Sequence, residues 1–106
     1  MEVKKYIQEN EARFMDELFS LIRIPSISAL PQHKDDMLAC AERWKELLLE
    51  AGADKAEVMP SAGNPLVYAE KHVSDDAPTV LIYAHYDVMP AEPLELWKSN
   101  PFEPEI

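Results

Sequence analysis

Apolar residues recur at steps of three, four or seven through the start of the chain. Val3, Ile7, Phe14, Leu18, Leu21 and Ile22 form one stripe, and Glu9, Glu11, Arg13, Asp16 and Glu17 fill much of the remaining face. This period predicts an amphipathic helix over 2–23. Pro25 ends it, because the residue before a proline is pushed out of the helical region. Residues 24–28 then read as an extended connector. A second stripe of Met37, Ala41, Trp44, Leu48 and Ala51, widened by Leu38 and Leu47, predicts a helix over 34–51. Asp35 and Asp36 fall in its first turn, where negative charge suits the helix dipole. Gly52 follows its last turn, the usual place for a left-handed cap.

The period then shortens to two. Residues 56–59 and 66–71 read as short strands, separated by the turn chemistry of Pro60-Ser61-Ala62-Gly63-Asn64-Pro65. A polar turn over 74–78 leads into Thr79-Val80-Leu81-Ile82-Tyr83-Ala84, which is apolar on both faces and predicts a central strand. Beyond Pro90, prolines 93, 101 and 104 are interleaved with Trp97 and Phe102, which predicts an ordered, irregular loop. The expected architecture is α/β, with two helices packed on one side of a partial mixed sheet.

Composition narrows the functions. The chain has 106 residues, at most one domain, and a formal net charge of −10. Such an acidic balance disfavours phosphate backbones and anionic lipid, so neither nucleic acid nor membrane is an expected partner. Only Gly52 and Gly63 are glycines, which excludes both glycine-rich nucleotide-cradling loops. The single Cys40 excludes an intrachain disulfide and a Cys-rich zinc module, and points to a reducing cytoplasm. No apolar run is long enough to span a bilayer, and the N-terminus is charged where a signal peptide is apolar.

Chemistry concentrates after the predicted central strand, at His85-Tyr86-Asp87. Ligands of open α/β sheets bind at the carboxyl ends of strands. In extended backbone, residues i and i+2 share a side, so His85 and Asp87 can serve one site. A histidine can bind zinc through one ring nitrogen while a carboxylate holds the other N–H. The motif is short: 3 His and 7 Asp in 106 residues give 3 × 7/106, about 0.2 chance matches, yet there are two. His33-Lys34-Asp35 is the second, in a polar stretch with no strand before it, and reads as solvated, as does His72. From position and spacing alone, His85 remains open between a metal ligand and a hydrogen-bonded structural histidine. Ser26 and Ser28 have no base nearby in sequence and do not read as nucleophiles. Cys40 reads as a small buried thiol, Trp44 as core, and Trp97 and Phe102 as residues that pack their loop.

The block Tyr83-Ala84-His85-Tyr86-Asp87-Val88-Met89-Pro90-Ala91-Glu92-Pro93-Leu94-Glu95-Leu96-Trp97-Lys98-Ser99-Asn100-Pro101-Phe102-Glu103-Pro104 is far more specific. It resembles the co-catalytic zinc metallopeptidases that include aminoacylase, carnosine dipeptidase and succinyl-diaminopimelate desuccinylase, and most of all their dipeptidase branch. Phe19-Ser20-Leu21-Ile22-Arg23-Ile24-Pro25-Ser26-Ile27-Ser28 resembles the family's first helix and its Pro-Ser connector. Met89 departs from the glutamine frequent in the branch, a change expected to touch packing more than chemistry.

The resemblance implies that residues 1–106 are an N-terminal segment of a zinc-peptidase-like catalytic domain. It makes His85 a ligand of one of two divalent ions, zinc or alternatively manganese or cobalt. It makes Asp87 the catalytic-site residue that orients His85. It further implies hydrolysis of small peptides, in a cytoplasmic enzyme that dimerises through another domain. In that family the bridging aspartate, the Glu-Glu pair with the general base and the final histidine lie beyond the Pro-Phe-Glu-Pro block. The isolated chain is therefore expected to be inactive. The alternative reading is a truncated, non-catalytic interaction module that uses the acidic helices and the Trp97–Phe102 loop.

Overall fold

The computed structural model describes residues 2–106. Their backbone forms helices α1 (Val3–Glu9), α2 (Glu11–Ile22) and α3 (Lys34–Glu50), and strands β1 (Lys55–Met59) and β2 (Leu66–Glu70). Short 3-10 turns cover Pro31–His33 and Leu94–Leu96. The α/β class stands, and the details depart from expectation in three places.

The first helix is two helices. Asn10 sits off the helical region at φ −112° and ψ 9°. Its side-chain Nδ2 donates to the Tyr6 carbonyl at 2.9 Å, and its Oδ1 accepts from the Arg13 guanidinium at 3.3 Å. Asparagine competes with helical backbone in this way, a local effect that the apolar period does not register. The Arg13 guanidinium lies 4.7 Å from the Phe14 ring centre and donates to the Tyr6 hydroxyl at 3.0 Å, so one side chain ties both sides of the break.

The second departure is the sheet. It has two strands, β1 and β2, paired antiparallel with Val58 opposite Val67 and Ala56 opposite Ala69. Residues 79–84 join no ladder among the described residues, and Leu81 and Ile82 are 90% and 86% exposed. Apolar patterning gives a segment the capacity to be a central strand. Flanking strands must still take its N–H and C=O groups, and β1 and β2 pair with each other.

Thirdly, the two expected helices fall in different compact units. The chain divides into two compact units, one of residues up to Ile24 with Ala91–Ile106, the other Pro25–Pro90. In the second unit α3 packs on both strands. In the first, α1 and α2 group with the proline-rich segment. There the Trp97 indole N–H donates to the Ala91 carbonyl at 2.8 Å and the Phe102 N–H to the Asn100 side chain at 2.9 Å. The loop is ordered by such local bonds, as its large apolar residues predict.

The second unit holds the core. Met37, Cys40 and Ala41 are buried on one face of α3, and Ser26 and Ile27 of the connector are buried with them. Burying a side chain such as Ile27 or Met37 contributes about 1.5–3 kcal/mol. At the end of α3, Gly52 takes φ 103°, its N–H bonds the Leu49 carbonyl at 3.0 Å, and the Ala53 N–H bonds Leu48 at 3.0 Å. This is the left-handed cap that the glycine predicts. A Cβ at Gly52 would meet nothing within 4 Å, so the cost of substitution is conformational. Gly52→Ala is expected to destabilise the chain by roughly 1–2 kcal/mol, read as a lower denaturation midpoint with an unchanged slope.

Candidate functional site

The site is assembled on the connector rather than on a sheet. Ser26 and Ser28, two residues apart, both reach the segment around Tyr86 and Asp87. The Ser26 hydroxyl donates to the Tyr86 carbonyl at 2.9 Å, and the Val88 N–H donates to the Ser26 carbonyl at 2.9 Å. Ile27 and Val88 thereby form a single parallel bridge. From behind, the Cys40 thiol on α3 approaches the same Tyr86 carbonyl at 3.9 Å. The Tyr86 hydroxyl donates to the Pro65 carbonyl at 2.6 Å, which anchors the motif to the start of β2. Three stretches far apart in sequence thus converge on the backbone between His85 and Val88.

On this frame the two candidate residues meet. His85 Nδ1 lies 2.9 Å from Asp87 Oδ1 and 3.2 Å from the Asp87 carbonyl. The other carboxylate oxygen, Oδ2, accepts from the Ser28 hydroxyl at 2.5 Å. With the bond from Ser28 as the main cause and that from His85 next, the Asp87 carboxyl is held below the usual carboxylate range. It is therefore an anion at neutral pH and can only accept, so the neutral ring carries its proton on Nδ1. Nε2, across the ring, is left with its lone pair in a side chain that is 78% exposed. One nitrogen is thus oriented by a carboxylate and the other is open, a geometry in which the ring could bind a metal ion.

The remaining candidates lie elsewhere. His33 Nδ1 pairs with Asp36 Oδ2 at 2.8 Å at the start of α3, so the second H-x-D match bonds across a helical turn to a residue outside its motif. His72 Nε2 pairs with Asp75 at 3.1 Å on the surface. Cys40 is buried, and burial pushes its thiol up, which keeps it a poor nucleophile. Trp44 is half-buried on α3 and Trp97 is 53% exposed. Ser26 and Ser28 are the residues whose function sequence reasoning missed. The signal was their i, i+2 spacing, which in extended backbone directs two hydroxyls to one side.

Among the described residues no group of three or more His, Cys, Asp or Glu side chains converges on a possible metal position. A complete zinc site needs three or four protein ligands, and His85 fits as one of them. No helix among the described residues is long and apolar enough to cross a membrane.

No family model matches the chain. A cysteinylglycine-S-conjugate dipeptidase of Corynebacterium striatum is 33% identical over 94 residues, 89% of this chain and 21% of that protein. The Cys-Gly metallodipeptidase DUG1 of Saccharomyces cerevisiae is 27% identical over 109 residues, 92% of this chain and 23% of that protein. The solved structure of the yeast dipeptidase Dug1p superposes with a TM-score of 0.84 at 24% identity, over 93% of this chain and 23% of that one, so the fold is shared. The chain spans about one fifth of the length of the curated relatives it matches. Over nearly its whole length, then, the chain is similar in sequence to part of these two dipeptidases and shares its fold with part of the yeast one.

Proposed function

We propose that the chain is the part of a metal-dependent dipeptidase that provides one metal ligand, His85, and the carboxylate that orients it, Asp87. The observation that carries this reading is the bond of 2.9 Å between His85 Nδ1 and Asp87 Oδ1, which leaves Nε2 free on an exposed ring. Each residue then has a separate task. Asp87 fixes the tautomer and the ring plane, and its negative charge raises the donor strength of Nε2. His85 presents that nitrogen to the ion. The backbone of 86–88, clamped by Ser26, keeps the pair in place. Divalent ions held with the help of His85 would supply Lewis-acid polarisation of a scissile carbonyl and a nucleophilic water at neutral pH. Zinc is the first choice for an imidazole donor, with manganese or cobalt as alternatives.

In this proposal residues 1–106 form the N-terminal segment of a catalytic domain, and the remaining ligands and the general base come from the rest of a longer protein. The substrate is a small peptide. A cytoplasmic location, and a homodimer formed through another domain, complete the reading. Its supports are the relatives' names and the free Cys40, which suits a reducing compartment.

The test is Asp87→Asn in the complete enzyme. An amide keeps the shape but loses the charge and one acceptor. Metal affinity or activity is expected to fall roughly 10- to 100-fold, the usual cost of removing such an orienting partner. The thermal midpoint should remain near wild type. Full activity in Asp87→Asn removes the orienting role.

A further inference from the structure

We infer that Ser28 is a positioning residue: by donating to Asp87 Oδ2 it fixes the carboxylate so that Oδ1 meets His85 Nδ1, and so sets the tautomer of the histidine. The inference rests on the reading of His85 as a ligand for its functional meaning, but its geometry stands alone.

A carboxylate has two equivalent oxygens and turns readily about its terminal torsion. One hydrogen bond to His85 does not stop that turn. A second bond on the other oxygen, from a group anchored elsewhere, does. Ser28 meets that requirement. Its hydroxyl is 2.5 Å from Oδ2, while Asp87 Oδ1 is 2.9 Å from His85 Nδ1. The serine itself is anchored. Ile27 beside it is buried and bridged to Val88, and Ser26 bonds the same segment through both hydroxyl and carbonyl. The connector thus forms a rail parallel to 86–88, and Ser28 is the point where that rail touches the chemistry. The need for such a device follows from exposure: the side chains of His85 and Asp87 are 78% and 41% exposed, so packing alone does not hold them.

The bond has a direction. Asp87 is ionised and can only accept, so Ser28 must donate to it. A hydroxyl at this position is required, and alanine cannot replace it. Threonine keeps the hydroxyl and should substitute.

The experiment reads the tautomer directly, by long-range proton–nitrogen NMR of the imidazole rings in the 106-residue chain at about pH 8.5, where an ordinary imidazole is neutral. In the wild type, His85 should be predominantly the Nδ1–H form. Ser28→Ala should bring the two ring nitrogens toward each other as the Nε2–H form gains population. Ser28→Thr should restore the wild-type pattern, with His33 and His72 unchanged in both. A wild-type His85 that is predominantly Nε2–H overturns the inference without any variant, so it stays falsifiable if Ser28→Ala fails to fold. A folded Ser28→Ala with wild-type His85 resonances overturns it equally.

In the complete enzyme the same substitution should weaken zinc binding by about three- to tenfold, less than loss of the orienting carboxylate itself. If His85 is not a ligand, zinc affinity will not respond while the tautomer still does. That pattern separates failure of the functional reading from failure of this inference.

Discussion

Replacing His85 by alanine in the complete protein should, on the proposed function, abolish dipeptide hydrolysis and lower the bound metal. The substitution removes the nitrogen that geometry leaves open, and the other histidines and the cysteine are committed elsewhere: His33 is engaged with Asp36, His72 with Asp75, and Cys40 is buried with its thiol pushed up. Losing one of three or four ligands leaves an incomplete coordination shell. Turnover should therefore fall by several orders of magnitude, well beyond the effect of losing Asp87, which only orients. The fold should survive, because an exposed imidazole contributes little packing. His33→Ala is the internal control. It cuts the other H-x-D match and should leave activity near wild type. A large loss there would assign the chemistry to the His33 motif and overturn the assignment to His85.

The second large effect is an absence. The 106-residue chain alone should neither hydrolyse dipeptides nor hold zinc tightly. Its described residues contain no cluster of three metal-binding side chains. A lone imidazole gives far less than the roughly 10–16 kcal/mol of a complete structural zinc site. Calorimetric titration of the purified chain should show only weak binding that disappears in His85→Ala. Tight binding of two zinc ions with dipeptide cleavage would refute the view that the remaining ligands lie in the rest of a longer enzyme.

What the sequence disclosed followed the range of the interactions involved. Helix α3, its acidic first turn and its glycine cap were legible because each depends on neighbours within a few residues. The short strands and the turn between them were legible for the same reason. Asn10 escaped because its side chain breaks a helix whose apolar period continues across it. The segment 79–84 departs from its pattern because strand formation is settled by partners, and hydrophobicity names only the candidate. At the site, the pairing of His85 with Asp87 was readable from a spacing of two. The spacing of Ser26 and Ser28 signals two hydroxyls on one side, but the partner of Ser28, 59 positions away, is not readable from local pattern. Ser26 carries the same lesson: a serine without a nearby base in sequence serves as a structural clamp on 86–88.

The most direct test of the whole account is the position of the metal relative to His85. Zinc can be located by anomalous scattering in crystals of the complete, metal-loaded enzyme. The account predicts an ion about 2.0–2.1 Å from His85 Nε2, with Nδ1 still hydrogen-bonded to Asp87 and Asp87 still held by Ser28. Zinc bound without His85, or bound at Nδ1 with Asp87 turned away, would contradict it.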